Sequence, residues 1–239
     1  MTVHPAPKDA HPDGVGNNLP ARLASSFVLA PAALAAAWAG GVIFVVFWVA
    51  AALVVAWEWS KLVARAPRRG PWFVAGGVYA IIALLGPLML RADPLYGFRA
   101  VLFLFMIVWV TDIMGYVVGR TVGGARLWPT ISPNKTWAGA IGGVAGTLVV
   151  GLVFALVEGL ALVPIAILAM ILSIVAQAGD LFESAIKRRF GAKDTSHLIP
   201  GHGGLMDRLD GFIAAALIAA MIGITRAGSS AAARGLLVW

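Results

Sequence analysis

The chain has 239 residues, of which 60% are hydrophobic and only 12% charged, with a mean hydropathy of +0.89. A soluble domain carries about 25% charged residues, so this composition excludes an ordinary soluble enzyme and predicts an all-α polytopic membrane protein. There is length for about seven transmembrane helices of about 20 residues each. The net charge of +7 would suggest nucleic acid in a soluble protein, but in a membrane protein it marks cytoplasmic loops and anionic headgroups, and no nucleic-acid partner is expected. The absence of cysteine excludes disulfides, thiolate nucleophiles and thiolate metal sites.

In chain order, residues 1–22 carry four prolines and little apolar content. They read as a disordered cytoplasmic tail rather than a signal peptide, because no short apolar core is followed by a small-residue cleavage site. His4 and His11 in this tail lack partners in sequence and read as solvated. Residues 23–239 read as one transmembrane catalytic domain. The apolar run 23–62 is too long for one span at about 1.5 Å per residue, and Gly40-Gly41 is its natural turn, giving spans at 23–39 and 42–60. Trp57 and Trp59 suit an interfacial belt, and Glu58 between them is expected to pair with Lys61 or reach the headgroups. Further spans are predicted at 72–90, 99–119, 137–157, 161–178 and 211–226. The fourth contains Asp112, an intramembrane carboxylate that needs a partner such as Arg120 or Lys135. The fifth opens with GAIGGVAGTLVVG, whose small residues suit close helix packing.

The distribution of Lys and Arg sets the orientation. With the N-terminus inside, 14 of the 18 basic residues fall on the cytoplasmic side, leaving Arg91, Arg99, Arg226 and Arg234 opposite. Two polar islands, 120–136 and 179–210, therefore face the cytoplasm. Together they are expected to form a polar, cytoplasm-facing funnel.

The second island holds the densest chemistry. Asp180, Glu183, Asp194, Asp207 and Asp210 lie there among Lys187, Arg188, Arg189, Lys193 and Arg208. Charge this close to lipid is costly and marks a functional site. Asp207 and Asp210 in MDRLD share one face of a helix and suit a common cation. Asp180, at the end of the sixth span, reads as a third ligand, at the start of a short polar helix where Glu183 and Lys187 form an ordinary surface bridge. Three carboxylates from two helix ends suit Mg²⁺. Gly203 and Gly204 in GHGG offer backbone amides to a phosphate, and His202 reads as a ligand, a base or a hydrogen-bonding residue. Lys187, Arg188, Lys193 and Arg208 offer cations. In the first island Ser132, Asn134, Lys135 and Thr136 of ISPNKT offer donors on a loop stiffened by Pro129 and Pro133. Carboxylates, cations and glycine turns without cysteine favour metal-assisted phosphoryl or nucleotidyl transfer at a cytoplasmic membrane surface. A cation or phosphate transporter using Asp112, Asp180, Asp207 and Asp210 along a path is the rival from another class; a structural scaffold would not need so many converging carboxylates.

The stretch SAIKRRFGAKDTSHLIPGHGGLMDRLD, Ser184 to Asp210, resembles the signature of the phosphatidate cytidylyltransferases (CDP-diacylglycerol synthases) at every fixed position. DIMGYVVGR, ISPNKTW and QAGDLFES resemble other blocks of that family, with Asn134 standing where lysine is expected. A CDP-alcohol phosphatidyltransferase would instead need D-G-x-x-A-R followed by G-x-x-x-D-x-x-x-D, which this chain lacks. The resemblance implies the reaction of CTP with phosphatidate to give CDP-diacylglycerol and pyrophosphate in phospholipid biosynthesis. It also implies Mg²⁺, with K⁺ as a candidate companion, and a homodimer. It places Asp180, Asp207 and Asp210 at the metal. Ser132, Lys135 and Thr136 fall near nucleotide phosphates, and Lys187, Arg188, Lys193 and His202 near either phosphate group.

Overall fold

In hydrocarbon a backbone amide has no water to bond, so apolar runs become helices that satisfy their own backbone. The computed structural model describes residues 19–64, 66–196, 198 and 203–239. His4, His11 and most of the expected tail lie outside these residues, as does His202. Seven long helices occupy the seven predicted apolar stretches: α1 (Leu19–Ala39), α2 (Gly41–Val63), α3 (Arg69–Arg91), α4 (Gly97–Thr121), α5 (Trp137–Glu158), α6 (Leu162–Arg189) and α7 (Met206–Ala227). Among the described residues six of them, α2 to α7, are long and apolar enough to cross a membrane, and α1 is apolar over Leu29–Ala39. The chain is an integral membrane protein. α1 begins inside the stretch read as tail.

The break between α1 and α2 falls at Gly40-Gly41, both at positive φ. Arg91 from the end of α3 seals this turn, its Nε donating to the Ala37 carbonyl at 2.7 Å.

The first half of α4 is the most enclosed part of the bundle, with Ala100, Val101, Phe103, Leu104 and Ile107 fully buried. Around it Phe212 of α7 stacks between Trp48 of α2, 5.1 Å away, and Phe105 of α4, 4.8 Å away. Along the α4–α5 contact the small residues bring the backbones together. A Cβ at Gly139 would stand 2.6 Å from the Gly115 carbonyl oxygen, so only glycine fits. Gly139→Val is expected to force α5 off α4 and to lower stability by about 1–3 kcal/mol, the usual cost of overpacking. Thermal unfolding in detergent measures this.

Two expectations about the polar islands are corrected. The island 120–136 is not an irregular loop: β1 (Arg126–Trp128) and β2 (Ser132–Thr136) pair antiparallel, with Arg126 opposite Thr136 and Trp128 opposite Ser132. The strands are too short and too interrupted by proline for their alternation to be read. The sixth span is also not followed by a separate polar helix. α6 runs unbroken for 28 residues to Arg189, since QAGDLFESAIKRR contains no proline and adds a Glu183–Lys187 pair at i, i+4 spacing. The chain ends in a 3-10 turn (Ser229–Ala231) and a short helix, α8 (Ala232–Leu237), folded back on α7.

Candidate active site

Four helix ends meet at one end of the bundle: the C-terminal parts of α4 and α6 and the first turns of α5 and α7. α4, α6 and α7 bring charged side chains to this end, and β2, which leads into α5, adds Lys135. Lys187 of α6 is the hinge of the arrangement. Its Nζ lies 2.9 Å from Glu183 Oε2 and 2.7 Å from Asp207 Oδ1. The side chain of Glu183 is 0% exposed, that of Asp207 6% and that of Lys187 12%, so this is a buried ion triad, not the surface bridge that spacing alone suggested.

Asp207 is committed within the protein. Its Oδ2 accepts from the Gly204 amide at 2.8 Å, the Thr195 amide at 3.0 Å and the Thr195 hydroxyl at 3.0 Å. The amide of Gly204 is thus turned onto Asp207 rather than left open as part of a phosphate cradle. Asp210, one turn further on, points elsewhere. It accepts from the Gly211 amide at 2.6 Å and lies within electrostatic reach of Asp180 and Glu183. Asp180 in turn forms an ion pair with Lys135 of β2. Asp207 and Asp210 therefore divide between two clusters: Asp207 with Lys187, and Asp210 with Asp180 and Glu183. Asp112 extends the second cluster, within reach of Asp180, Lys135 and Arg208. Of its two expected partners, Arg120 is engaged by the Tyr116 hydroxyl at 2.6 Å.

The other predicted residues have mixed fates. Thr136 is buried and caps α5 by accepting from the Gly139 amide at 3.0 Å. Ser132 opens β2, and Asn134 is exposed, its carbonyl accepting from Arg126 at 3.2 Å. Arg188 ties the hairpin to the end of α6 through the Ile131 carbonyl at 3.3 Å. Lys193 and Arg208 are exposed, and Gly203 holds a positive φ of 82° beside Asp207.

Two residues near the site were missed. Tyr79 of α3 has a buried hydroxyl without a hydrogen-bond partner among the described residues, within electrostatic reach of Asp210 and Glu183. Nothing in its neighbourhood in sequence, GVYAI, signals this. Glu58 is the second, and the expectation of a Lys61 or headgroup partner is wrong. It is fully buried and accepts from Ser196, Leu205 and Met206 across the bundle, while Lys61 lies over the Trp57 ring at 3.9 Å.

Among the described residues no three carboxylates or imidazoles converge on one point at metal-ligand spacing. The donor chemistry of the Asp180, Glu183 and Asp210 cluster nevertheless fits a hard cation. Asp210 lies within electrostatic reach of Asp180 and Glu183, one lysine sits on Asp180, and Glu183 Oε1 is buried with no hydrogen-bond donor on it among the described residues. Such crowding of negative charge calls for a cation or a shared proton. Asp207 stands apart from this cluster, its Oδ1 accepting from Lys187 and its Oδ2 from Thr195 and Gly204.

Residues 74–225 match the model of the cytidylyltransferase family, which spans more than half of the chain. The chain belongs to this family. It is a nucleotidyltransferase. A protein of Brucella abortus named phosphatidate cytidylyltransferase is 38% identical over 256 residues, covering 87% of this chain and 94% of that protein. Proteins of the same name from Staphylococcus saprophyticus and Staphylococcus haemolyticus are 46% and 45% identical over 119 residues, 49% of this chain and 46% of theirs. Seen as a cytidylyltransferase, the chain keeps its charged cluster within the family-matched region, and the residue that falls outside that region is Glu58.

Proposed function

We propose that the chain transfers the cytidylyl group of CTP to phosphatidate, forming CDP-diacylglycerol and pyrophosphate for phospholipid synthesis. The observation that carries this reading is the gathering of Lys135, Asp180, Glu183, Lys187, Asp207 and Asp210 at one end of a membrane bundle, in a chain of this family. A phosphate oxygen of phosphatidate attacks the α-phosphorus of CTP in line. The new P–O bond forms as the bond from the α-phosphorus to the bridging oxygen breaks, and pyrophosphate leaves with the electron pair. The lipid phosphate is largely ionised near neutral pH, so no protein base is required and the protein positions and neutralises.

In this reading Lys135 neutralises Asp180 and stands at the mouth of the site, where a triphosphate brings further negative charge. Lys187 holds Asp207 and Glu183 at fixed separation. Arg188, Lys193 and Arg208, exposed around the rim, draw in the two anionic substrates, with Ser132, Asn134, Gly203 and His202 as further candidate contacts; of these, His202 lies outside the described residues. Asp180, Asp210 and Glu183 would hold Mg²⁺, which supplies charge neutralisation on the phosphates and the leaving group. K⁺ is the candidate companion ion. The acyl chains stay in the bilayer while the headgroup meets the polar end of the bundle. The Lys/Arg asymmetry supports a cytoplasmic site in the inner membrane, where CTP is available. A homodimer belongs to this reading by resemblance alone, and light scattering in detergent measures it.

Purified protein given cytidine-labelled CTP, phosphatidate and Mg²⁺ is expected to move label into the lipid phase, and to stop when EDTA is added. Folded protein that transfers no label to phosphatidate under any metal condition overturns the reading and turns attention to solute flux in vesicles.

A further inference from the structure

α7 begins without a side-chain cap of its own, although the first four amides of a helix have no intrahelical partner. The missing partner comes from a residue almost 150 positions earlier in sequence. Glu58 of α2, 0% exposed, accepts from the Leu205 amide at 2.9 Å through Oε1 and from the Met206 amide at 2.7 Å through Oε2. The same carboxylate accepts from the Ser196 hydroxyl at 2.6 Å. The Thr195 hydroxyl has one hydrogen to give; it lies 3.0 Å from Asp207 and 3.4 Å from Glu58, and so goes to Asp207.

These donors are all neutral. The charge of Glu58 is matched by the positive end of α7, in the way a carboxylate stabilises a helix N-terminus. The fit leaves no slack: a Cβ at Gly204 would stand 2.6 Å from Glu58 Oε1 and 2.0 Å from Thr195 Oγ1. One carboxylate therefore joins Ser196 and the start of α7 to α2. Beside these contacts Thr195 and Gly204 supply the amides and hydroxyl that hold Asp207, and Asp210 stands one turn further along α7.

We propose that Glu58 is a positioning residue of the transferase. It touches neither substrate nor reacting atoms and acts by fixing where Asp207 and Asp210 stand. The inference rests on the functional reading above. It adds a residue from outside both the charged island and the family-matched region 74–225.

The test uses the full chain in detergent with Glu58→Ala and Glu58→Gln, read by hydrogen exchange and by steady-state transfer of labelled cytidylyl to phosphatidate. In Glu58→Ala the amides of Leu205 and Met206 are expected to exchange at least about tenfold faster, as expected when a local contact opens, while the buried part of α4 keeps its protection. kcat falls by about 10²-fold, the scale of a small misplacement of catalytic groups, with KM for CTP little changed. Glu58→Gln keeps one oxygen for this segment and falls between wild type and Glu58→Ala in both readouts. Unchanged kcat in folded Glu58→Ala overturns the proposal. So does exchange that accelerates equally throughout α4, which makes Glu58 a stabiliser of the whole bundle. A wild-type protein that transfers no label brings down the functional reading instead, and the exchange pattern still decides whether Glu58 holds the start of α7.

Discussion

Asp210→Asn is expected to lower transfer of cytidylyl label to phosphatidate by about 10³-fold, the upper scale for losing one electrostatic contact to developing charge, while the protein unfolds at the same temperature or slightly higher. The two effects have opposite signs for one physical reason. Asp210 shares its neighbourhood with two further carboxylates, Asp180 and Glu183, and like charges brought together repel. The amide replacement removes that repulsion and keeps an oxygen for the Gly211 amide, which Asp210 holds at 2.6 Å. What it loses is an anionic ligand for the cation that this cluster suits. Label transfer with and without Mg²⁺, alongside thermal unfolding in detergent, measures both. A variant that turns over at the normal rate removes Asp210 from the site, and one that unfolds early shows that the carboxylate is held by a contact other than these.

Lys187→Met is expected to fail in both readouts. The ammonium is the shared partner of Glu183 and Asp207, and its removal leaves two nearly buried carboxylates facing each other. Breaking a buried ion pair from one side costs about 3–5 kcal/mol, enough to consume much of the stability of an ordinary domain. Adding Glu183→Gln to Lys187→Met should recover most of that loss. The remaining carboxylate, Asp207, keeps the Gly204 and Thr195 amides and the Thr195 hydroxyl as donors. The double variant should regain its unfolding temperature and remain inactive, which separates the charge balance of the fold from the work of the site. A single Lys187→Met variant with wild-type stability would show that the triad does not form.

The helical, membrane-spanning character of the chain was legible because it needs no partner information. Long apolar runs have one backbone solution in lipid, and their ends were marked by charge, by Gly40-Gly41 and by the glycine of Glu158-Gly159. The small residues of 139–151 also announced close helix packing, though not that the partner would be α4. The hairpin was not legible. Its strands are three and five residues long, and Pro129 and Pro133 obscure the alternation that would mark them.

By itself the sequence determined the class of the protein, its long apolar helices and the family, and it named most of the charged residues that gather at one end of the bundle. Only the tertiary structure decided how that set divides. Asp207 and Asp210 share a helix face by spacing, yet one is taken up by Lys187, Thr195 and Gly204 and the other joins Asp180 and Glu183. Thr136 looked like a phosphate donor and is a helix cap; Glu58 looked like an interfacial charge and is the cap of a distant helix. The reason is physical. Apolar burial is nearly non-directional, so a pattern along one segment suffices to read it. A hydrogen bond or ion pair is satisfied only by a partner at one distance and angle, and in a bundle that partner comes from whichever helix packs alongside.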